Sequence, residues 1–353
     1  MKLVADCGKI TENAKAIVRL CEDRGVKLAC VTKCVCGEPA IARAILAGGV
    51  DGLAESRLFN IRRLREAGID AHIILMRMPL PDEADDVVRL ADCSFNSEQA
   101  AIRALSAAAQ QQGTVHQVVV MVENGDRREG VMFDQVEPLC RLVLDLPGLQ
   151  LAGLATSLNC LCGVMPSVEN QQRFADLASE TETKLGVHFR FVSAGHTNNV
   201  RFVLNGTMPG RVNHLRVGEA ILFGTDELSD LRLPVPHGDT FRAFARIIEL
   251  QDKPSAPDGV CGMDAFCRVH EWPDLGVRRR AILAMGEIDL AIEHLTPARP
   301  DITLVGASSD HTVIDVTEAA PPLQLGDEIE FACRYTAVST GWSSIYPERV
   351  ILE

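Results

Sequence analysis

A lysine stands where a long apolar run ends. Val26-Lys27-Leu28-Ala29-Cys30-Val31 leads into Thr32-Lys33-Cys34-Val35-Cys36-Gly37, and a run of that length bounded by turn residues reads as a parallel strand covered on both faces. An ammonium at such an exit is expected to be partly desolvated, which favours the neutral, nucleophilic amine. Other apolar runs end in polar groups too: Glu55-Ser56-Arg57, Arg77, Asn96-Ser97, the stretch from Glu123 to Arg128, Thr156-Ser157-Leu158-Asn159, the stretch from Ser193 to Asn199, and Arg216-Val217-Gly218-Glu219. Cations and hydrogen-bond donors predominate in this set, which suits an anionic ligand carrying a phosphate and a carboxylate. Two of the segments have the make-up of phosphate cradles. Ser193-Ala194-Gly195-His196-Thr197 offers a glycine turn with hydroxyl donors, and Val217-Gly218-Glu219 offers backbone N–H groups beside Arg216.

These residues need a scaffold that gathers strand ends. Apolar runs near 27–31, 52–54, 72–76, 92–95, 117–122, 151–156, 189–192 and 212–217 alternate with helical periodicity over 39–47, 57–67, 83–90, 97–111 and 135–144. Ser97 followed by Glu98 reads as a helix N-cap with an acid in the first turn, and Gly25, Gly68 and Gly113 close helices. Eight strand–helix repeats predict an α/β fold, a (β/α)8 TIM-like barrel, in which strand C-termini carry the chemistry. The open doubly wound alternative is disfavoured because no Gly-x-Gly-x-x-Gly follows the first strand. After Gly224 the pattern changes to prolines and short alternating runs at 241–250, 280–285, 302–305, 312–316 and 328–331, which predict a C-terminal all-β domain. The expected division is 1–225 for the barrel and 226–353 for the β-domain.

Bulk properties narrow the partners. In 353 residues, 47% hydrophobic and 24% charged, the formal net charge is −13, which argues against nucleic acid and anionic membrane as partners. With no apolar span and no leader-like pattern, a cytoplasmic protein is expected. Its twelve cysteines are then free thiols used as small hydrophobes. The Cys34/Cys36 and Cys160/Cys162 pairs lack zinc-knuckle spacing and companion histidines, so no metal is expected.

Taken together, Thr32-Lys33, Val122-Glu123-Asn124-Gly125-Asp126-Arg127-Arg128-Glu129-Gly130, Leu215-Arg216-Val217-Gly218-Glu219-Ala220 and Gly306-Ala307-Ser308-Ser309-Asp310-His311 resemble the alanine racemase-like enzymes over nearly the whole chain. Within that superfamily they are most similar to the ornithine racemase branch. The resemblance implies pyridoxal 5'-phosphate as cofactor and a racemase of a small amino-acid substrate, ornithine or another basic one. It implies Lys33 as covalent anchor and as one acid–base group at the substrate Cα, and Arg216 opposite the pyridine nitrogen. An arginine there keeps its proton, so the ring nitrogen stays unprotonated. Thr197, Gly218 and Glu219 would hold the phosphate, together with Tyr335. Arg128 would lie near the substrate carboxylate, and Ser309 near the substrate. A head-to-tail homodimer is implied, because the β-domain of a second copy would complete each site.

Two departures from the family pattern bear on the substrate. Where alanine racemases carry an acid–base tyrosine in the β-domain, this chain reads Gly286-Glu287-Ile288-Asp289. Racemisation needs proton donors on both faces of the carbanion, so Glu287, Asp310 and His311 are the candidates to replace it. Glu287, Asp289 and Asp310 could equally recognise a distal ammonium. Thr156-Ser157 also stands where alanine racemases place a histidine. Competing readings are a metal-assisted D-amino-acid lyase or aldolase of the same fold and a pyridoxal phosphate-binding homeostasis protein. Phe331-Ala332-Cys333-Arg334-Tyr335 lacks the second metal-binding histidine of the first, and the β-rich C-terminal part is foreign to the second.

Overall fold

The structure, a computed structural model, describes residues 1–226 and 231–353. The chain opens with strand β1 (Lys2–Asp6) and helix α1 (Cys7–Glu22). Strand and helix then alternate: β2 (Lys27–Val31), α2 (Pro39–Ala47), β3 (Gly52–Glu55), α3 (Leu58–Glu66), β4 (Ile73–Leu75), α4 (Ala84–Leu90), β5 (Cys93–Asn96), α5 (Gln99–Gln111), β6 (His116–Val122), α6 (Phe133–Asp145), β7 (Leu149–Thr156), α7 (Val168–Leu185), β8 (Phe191–Ser193), α8 (Val200–Leu204), β9 (His214–Val217) and α9 (Glu219–Leu222). Strands β2 to β9 pair in parallel with their sequence neighbours, and β2 pairs with β9, so the sheet closes into the expected barrel.

The barrel interior explains why these runs are apolar on both faces. Ala29, Ala54, Ile74, Cys93, Phe95, Val119, Met121, Ala152, Ala155 and Phe191 pack there as one buried cluster, while the opposite face of each strand meets a helix. Gly153 permits the closest strand contact. Its φ is +156° and a Cβ would lie 1.8 Å from the Phe191 carbonyl oxygen, so no other residue fits β7 against β8. Helix ends follow local chemistry. Ser167 Oγ accepts from Asn170 N at 3.1 Å to start α7, and Gly186, with φ +66°, ends it. Ser97 does not cap α5 as expected. Its hydroxyl bonds Met78 Sδ at 2.7 Å, and the helix starts at Gln99 after an extended Glu98.

The compact units divide at Gly238/Asp239 rather than at 225. The barrel unit comprises Gly8–Lys33 and Gly37–Gly238, and the β unit comprises Met1–Cys7, Cys34–Cys36 and Asp239–Glu353. A two-residue ribbon, β10 (Thr225–Asp226) with β11 (Leu231–Arg232), ends the barrel segment. The β unit holds β12 (Phe241–Pro254), β13 (Val277–Leu283), β14 (Leu295–Pro297), β15 (Thr303–Ala307), β16 (Thr312–Asp315), β17 (Glu328–Cys333), α10 (Tyr335–Ser343) and β18 (Glu348–Leu352). Its sheet runs β14-β17-β12-β13-β16-β15, with β1 antiparallel to β12 and parallel to β18. The sheet agrees with the predicted β-domain, but α10 and the recruited N-terminal strand do not follow from the local pattern. Phe241 and Trp342 meet edge to face, with ring centroids 5.8 Å apart, and so bind α10 to β12. No helix among the described residues is long and apolar enough to cross a membrane.

Candidate active site

Lys33 lies one residue beyond β2, after Thr32, and begins a single 3-10 turn over Lys33–Val35. Its side chain is exposed, which corrects the expected desolvation at the strand exit. The buried group beside it is Glu55, at the end of the neighbouring strand β3. Thr32 Oγ1 donates to Glu55 Oε1 at 2.6 Å, while Asn60 Nδ2 and Ser56 N donate to Oε2 at 3.0 and 3.1 Å. Burial raises the Glu55 carboxyl above its ordinary value of 4.5, and these donors together with the Lys33 charge pull the other way. Gly37 completes the turn. Its φ is +58° and a Cβ would come within 3.0 Å of Asn60.

Arg216 is the buried cation of the barrel. It lies on β9, whose residues pair with β2 at Ala29↔Arg216 and Cys30↔Val217, so the last strand's exit adjoins the first. Nη1 donates to Ser193 Oγ at 2.6 Å and Nη2 to the Thr156 carbonyl at 2.8 Å. The guanidinium sits over Phe95, 5.1 Å from the ring centroid. Burial brings its pKa down to about 10, so it is charged at neutral pH. Behind it, Ser193 Oγ is 2.7 Å from His214 Nδ1. Burial and the Arg216 charge push His214 down to about 3, leaving a neutral ring.

The two loops with the make-up of phosphate cradles are joined. Ala220 N donates to Thr197 Oγ1 at 3.3 Å, and Gly218 lies against β2, where a Cβ would come 3.2 Å from Val31 Cβ. Glu219 Oε1 accepts from Thr225 Oγ1 at 3.1 Å. Asn198, fully buried beside Thr197, pairs neither its Oδ1 nor its Nδ2 among the described residues.

The loop after β6 is tightly built. Glu123 accepts from the backbone N–H groups of Gly125 and Arg128. Arg173 of α7 bonds the side chain and carbonyl of Asn124 at 2.7 to 3.2 Å. Asp126 accepts four backbone N–H groups, from Cys160, Leu161, Cys162 and Val164, at 2.8 to 3.3 Å. Burial would raise its carboxyl, but those bonds outweigh it and hold the pKa below the ordinary value. Arg128 forms a two-pronged pair with Glu129 through Nε and Nη2. Cys160 Sγ lies 3.5 Å from Ser157 Oγ and 3.7 Å from His196 Nε2. Its partial burial would raise the thiol, but His196, Ser157 and Arg128 bring it down to about 7.

In the β unit, Glu287, Ser309, Asp310 and His311 form one corner. Glu287 N donates to Ser308 O at 3.0 Å and Ile288 N to Ser309 O at 3.1 Å, and a Cβ at Gly286 would meet Ser309 O at 2.2 Å. Arg268 Nη1 holds the Glu287 carboxylate at 2.9 Å. Ser309 Oγ donates to Asp310 at 2.8 Å, and Asp310 and His311 are both exposed. Tyr335 opens α10, half-buried. Among the described residues no three His, Cys, Asp or Glu side chains gather as a metal site.

The alanine racemase N-terminal domain family matches residues 5–226. The chain belongs to the alanine racemase family. It is 34% identical to an ornithine racemase of Acetoanaerobium sticklandii over 99% of both chains. It is 32% identical to a lysine racemase of Thermotoga maritima over 99% of this chain and 98% of that one. An alanine racemase structure from Clostridium difficile superposes with a TM-score of 0.77 at 16% identity, covering 100% of this chain and 95% of that one. At that identity the likeness is one of fold.

Within this family member, sequence reasoning singled out Lys33, Arg216 and the two loops, but passed over Glu129, Asp126 as an anchor, and the Ser193–His214 pair behind Arg216. A signal for the last was present. His214 and Arg216 are two apart on a strand and therefore share a face.

Proposed function

We propose that this chain is a pyridoxal 5'-phosphate-dependent racemase of basic amino acids, with ornithine and lysine as first substrates, acting as a homodimer. The carrying observation is the adjacency of β2 and β9, which sets the exit leading to Lys33 beside Arg216 and the Gly218 loop. The barrel fits the cofactor on its own chemistry. Arg216 commits both terminal nitrogens to Ser193 and Thr156 and leaves Nε–H with no acceptor among the described residues, a donor suited to a ring nitrogen. Asn198, with both polar atoms unpaired, and the Thr197 hydroxyl lie in the turn where a phosphate would be received. Gly218 keeps that turn against Val31.

Lys33 would hold the cofactor through its amine, Arg216 its ring nitrogen, and Thr197, Gly218, Glu219 and Tyr335 its phosphate. When bound, the cofactor draws electrons from the substrate Cα and makes its proton removable. Lys33 Nζ moves that proton on one face. The opposite face needs a second group, and the Asp310–His311 loop of a second copy is the better source than Glu287. Glu287 is already paired with Arg268, so using it would break an ion pair. Arg128 holds the substrate carboxylate near the mouth of the barrel.

Incubation with a panel of L-amino acids, followed by chiral chromatography, tests this reading. D-Ornithine or D-lysine should accumulate, and Lys33→Ala should lose both racemisation and the long-wavelength absorbance of bound cofactor. A wild-type protein that racemises none of the panel, or a Lys33→Ala variant that keeps either property, overturns it.

A further inference from the structure

We propose that Glu129 is a specificity residue that recognises the substrate's distal ammonium, by a change of partners in the Arg128–Glu129 ion pair. The inference rests on the racemase reading above and identifies what in the barrel would favour a dibasic substrate.

Three carboxylates lie in the loop after β6, and their partners differ. Glu123 and Asp126 spend their oxygens on backbone N–H groups and act as anchors of the loop, with Arg127 Nη1 a further 3.9 Å neighbour of Glu123 Oε1. Among the described residues Glu129 bonds only the Arg128 side chain, and does so through two guanidinium nitrogens. The pair is partly buried, with 38% of the Arg128 and 28% of the Glu129 side chain exposed. Its position is fixed from both sides. Arg128 N is held by Glu123 at 3.2 Å, and Gly130, with φ +121°, packs so closely that a Cβ would come 2.6 Å from Glu123 N. Both members also lie within electrostatic reach of buried Arg216.

A guanidinium fork filled by one carboxylate cannot take a second in the same geometry. When a substrate's α-carboxylate enters the fork of Arg128, Glu129 must let go, and a partly buried carboxylate left unpaired is costly. Alanine brings nothing to replace the lost cation. Ornithine or lysine carries an ammonium three or four methylenes from Cα, and so exchanges one ion pair for two. Two acids of the β-unit corner are less suited to this task. Glu287 is paired with Arg268, and Asp289 closes its own turn on Gly286 N at 2.8 Å.

The test compares ornithine with norvaline, which lacks only the distal amine, and lysine with norleucine. It uses the holoenzyme, reads KM and kcat by chiral chromatography, and measures binding independently from ligand-induced change in cofactor absorbance. The wild type should prefer ornithine by at least about tenfold in kcat/KM, the scale of one partly desolvated charge pair. Glu129→Gln should raise the KM and the binding constant for ornithine by about that factor while norvaline holds or improves, so the ratio falls towards one. Glu129→Asp should keep part of the preference. A wild type that takes norvaline as readily as ornithine, or a Glu129→Gln enzyme that keeps the wild-type ratio, overturns the inference and leaves the racemase reading standing. Racemisation of none of the four removes both.

Discussion

Glu55 makes two demands on its site that substitution can separate. Its carboxyl is the acceptor for three donors, and it is also a buried titratable group whose pKa burial raises. Glu55→Ala strands the Ser56 N–H, the Asn60 amide and the Thr32 hydroxyl. A buried unmet donor costs roughly 1–3 kcal/mol, and the Thr32 hydroxyl can rotate, so a loss of about 3 kcal/mol is expected. Glu55→Gln keeps every contact, with the Thr32 bond reversed. Its Oε1 can take Ser56 and Asn60 while its amide donates to Thr32 Oγ1, so the change at neutral pH should stay within about 1 kcal/mol. The pH dependence gives the sharper contrast. Because the folded pKa is raised above 4.5, the folded form binds more protons than the unfolded chain between 4.5 and that higher value. The stability this proton lends is therefore complete below 4.5 and lost as pH rises through the folded pKa. Urea unfolding across that interval should show a slope in the wild type that Glu55→Gln flattens. Since Thr32 leads straight into Lys33, the alanine variant should also hold cofactor less well at a given concentration, and the glutamine variant should not. A Gln variant as unstable as Ala, with the wild-type slope intact, would refute the reasoning.

Two further outcomes follow from the loops around the barrel mouth. Asp126 has a lowered folded pKa, so its contribution is complete above the ordinary value of 3.8 and drains as pH falls through the folded one. Asp126→Asn should cost about 1–3 kcal/mol, because an amide cannot accept four N–H bonds, and should remove that acid-side loss in a denaturation series. Cys160 should be alkylated by iodoacetamide with a midpoint near pH 7, read peptide by peptide by mass spectrometry. Cys21 and Cys140, pushed up to about 12 by burial, should stay unmodified in the folded protein, and equal labelling of all three would contradict the Cys160 environment.

The barrel was legible because its strands are apolar on both faces and its helices repeat between them, a pattern local enough to read in windows. The β unit was legible only in part. Strand β1 is five residues long and is defined by partners at 241–244 and 348–352, contacts that no local period encodes. Helix α10 carries Thr, Val, Ser and Gly, poor helix formers that owe their state to Trp342 packing on Phe241. Ser97 failed as a cap because a sulfur acceptor from another loop claimed its hydroxyl. The ring of polar residues at strand ends could be written down in order, but which members are buried, paired or exposed depended on neighbours across the barrel. Lys33 is the plainest case: the strand exit was found, and the burial was assigned to the wrong side chain.

That distinction also decides how the acidic residues of the site should be understood. In the sequence Glu55, Glu123, Asp126 and Glu129 are interchangeable negative charges following apolar runs. Their donors separate them. A carboxylate ringed by backbone N–H groups, as Asp126 is, cannot leave its partners without unravelling a loop, and its charge is already compensated. Glu55 is bound by the Thr32 and Asn60 side chains and the Ser56 N–H and lies wholly buried, so it is placed to brace the turn that carries Lys33 and not to meet a ligand. Glu129 is bound by one side chain, Arg128, which in the proposed reading turns to a substrate carboxylate. A carboxylate is available to a ligand when that same ligand draws away the group holding it and supplies a replacement cation, and in the proposed reading that condition points to Glu129.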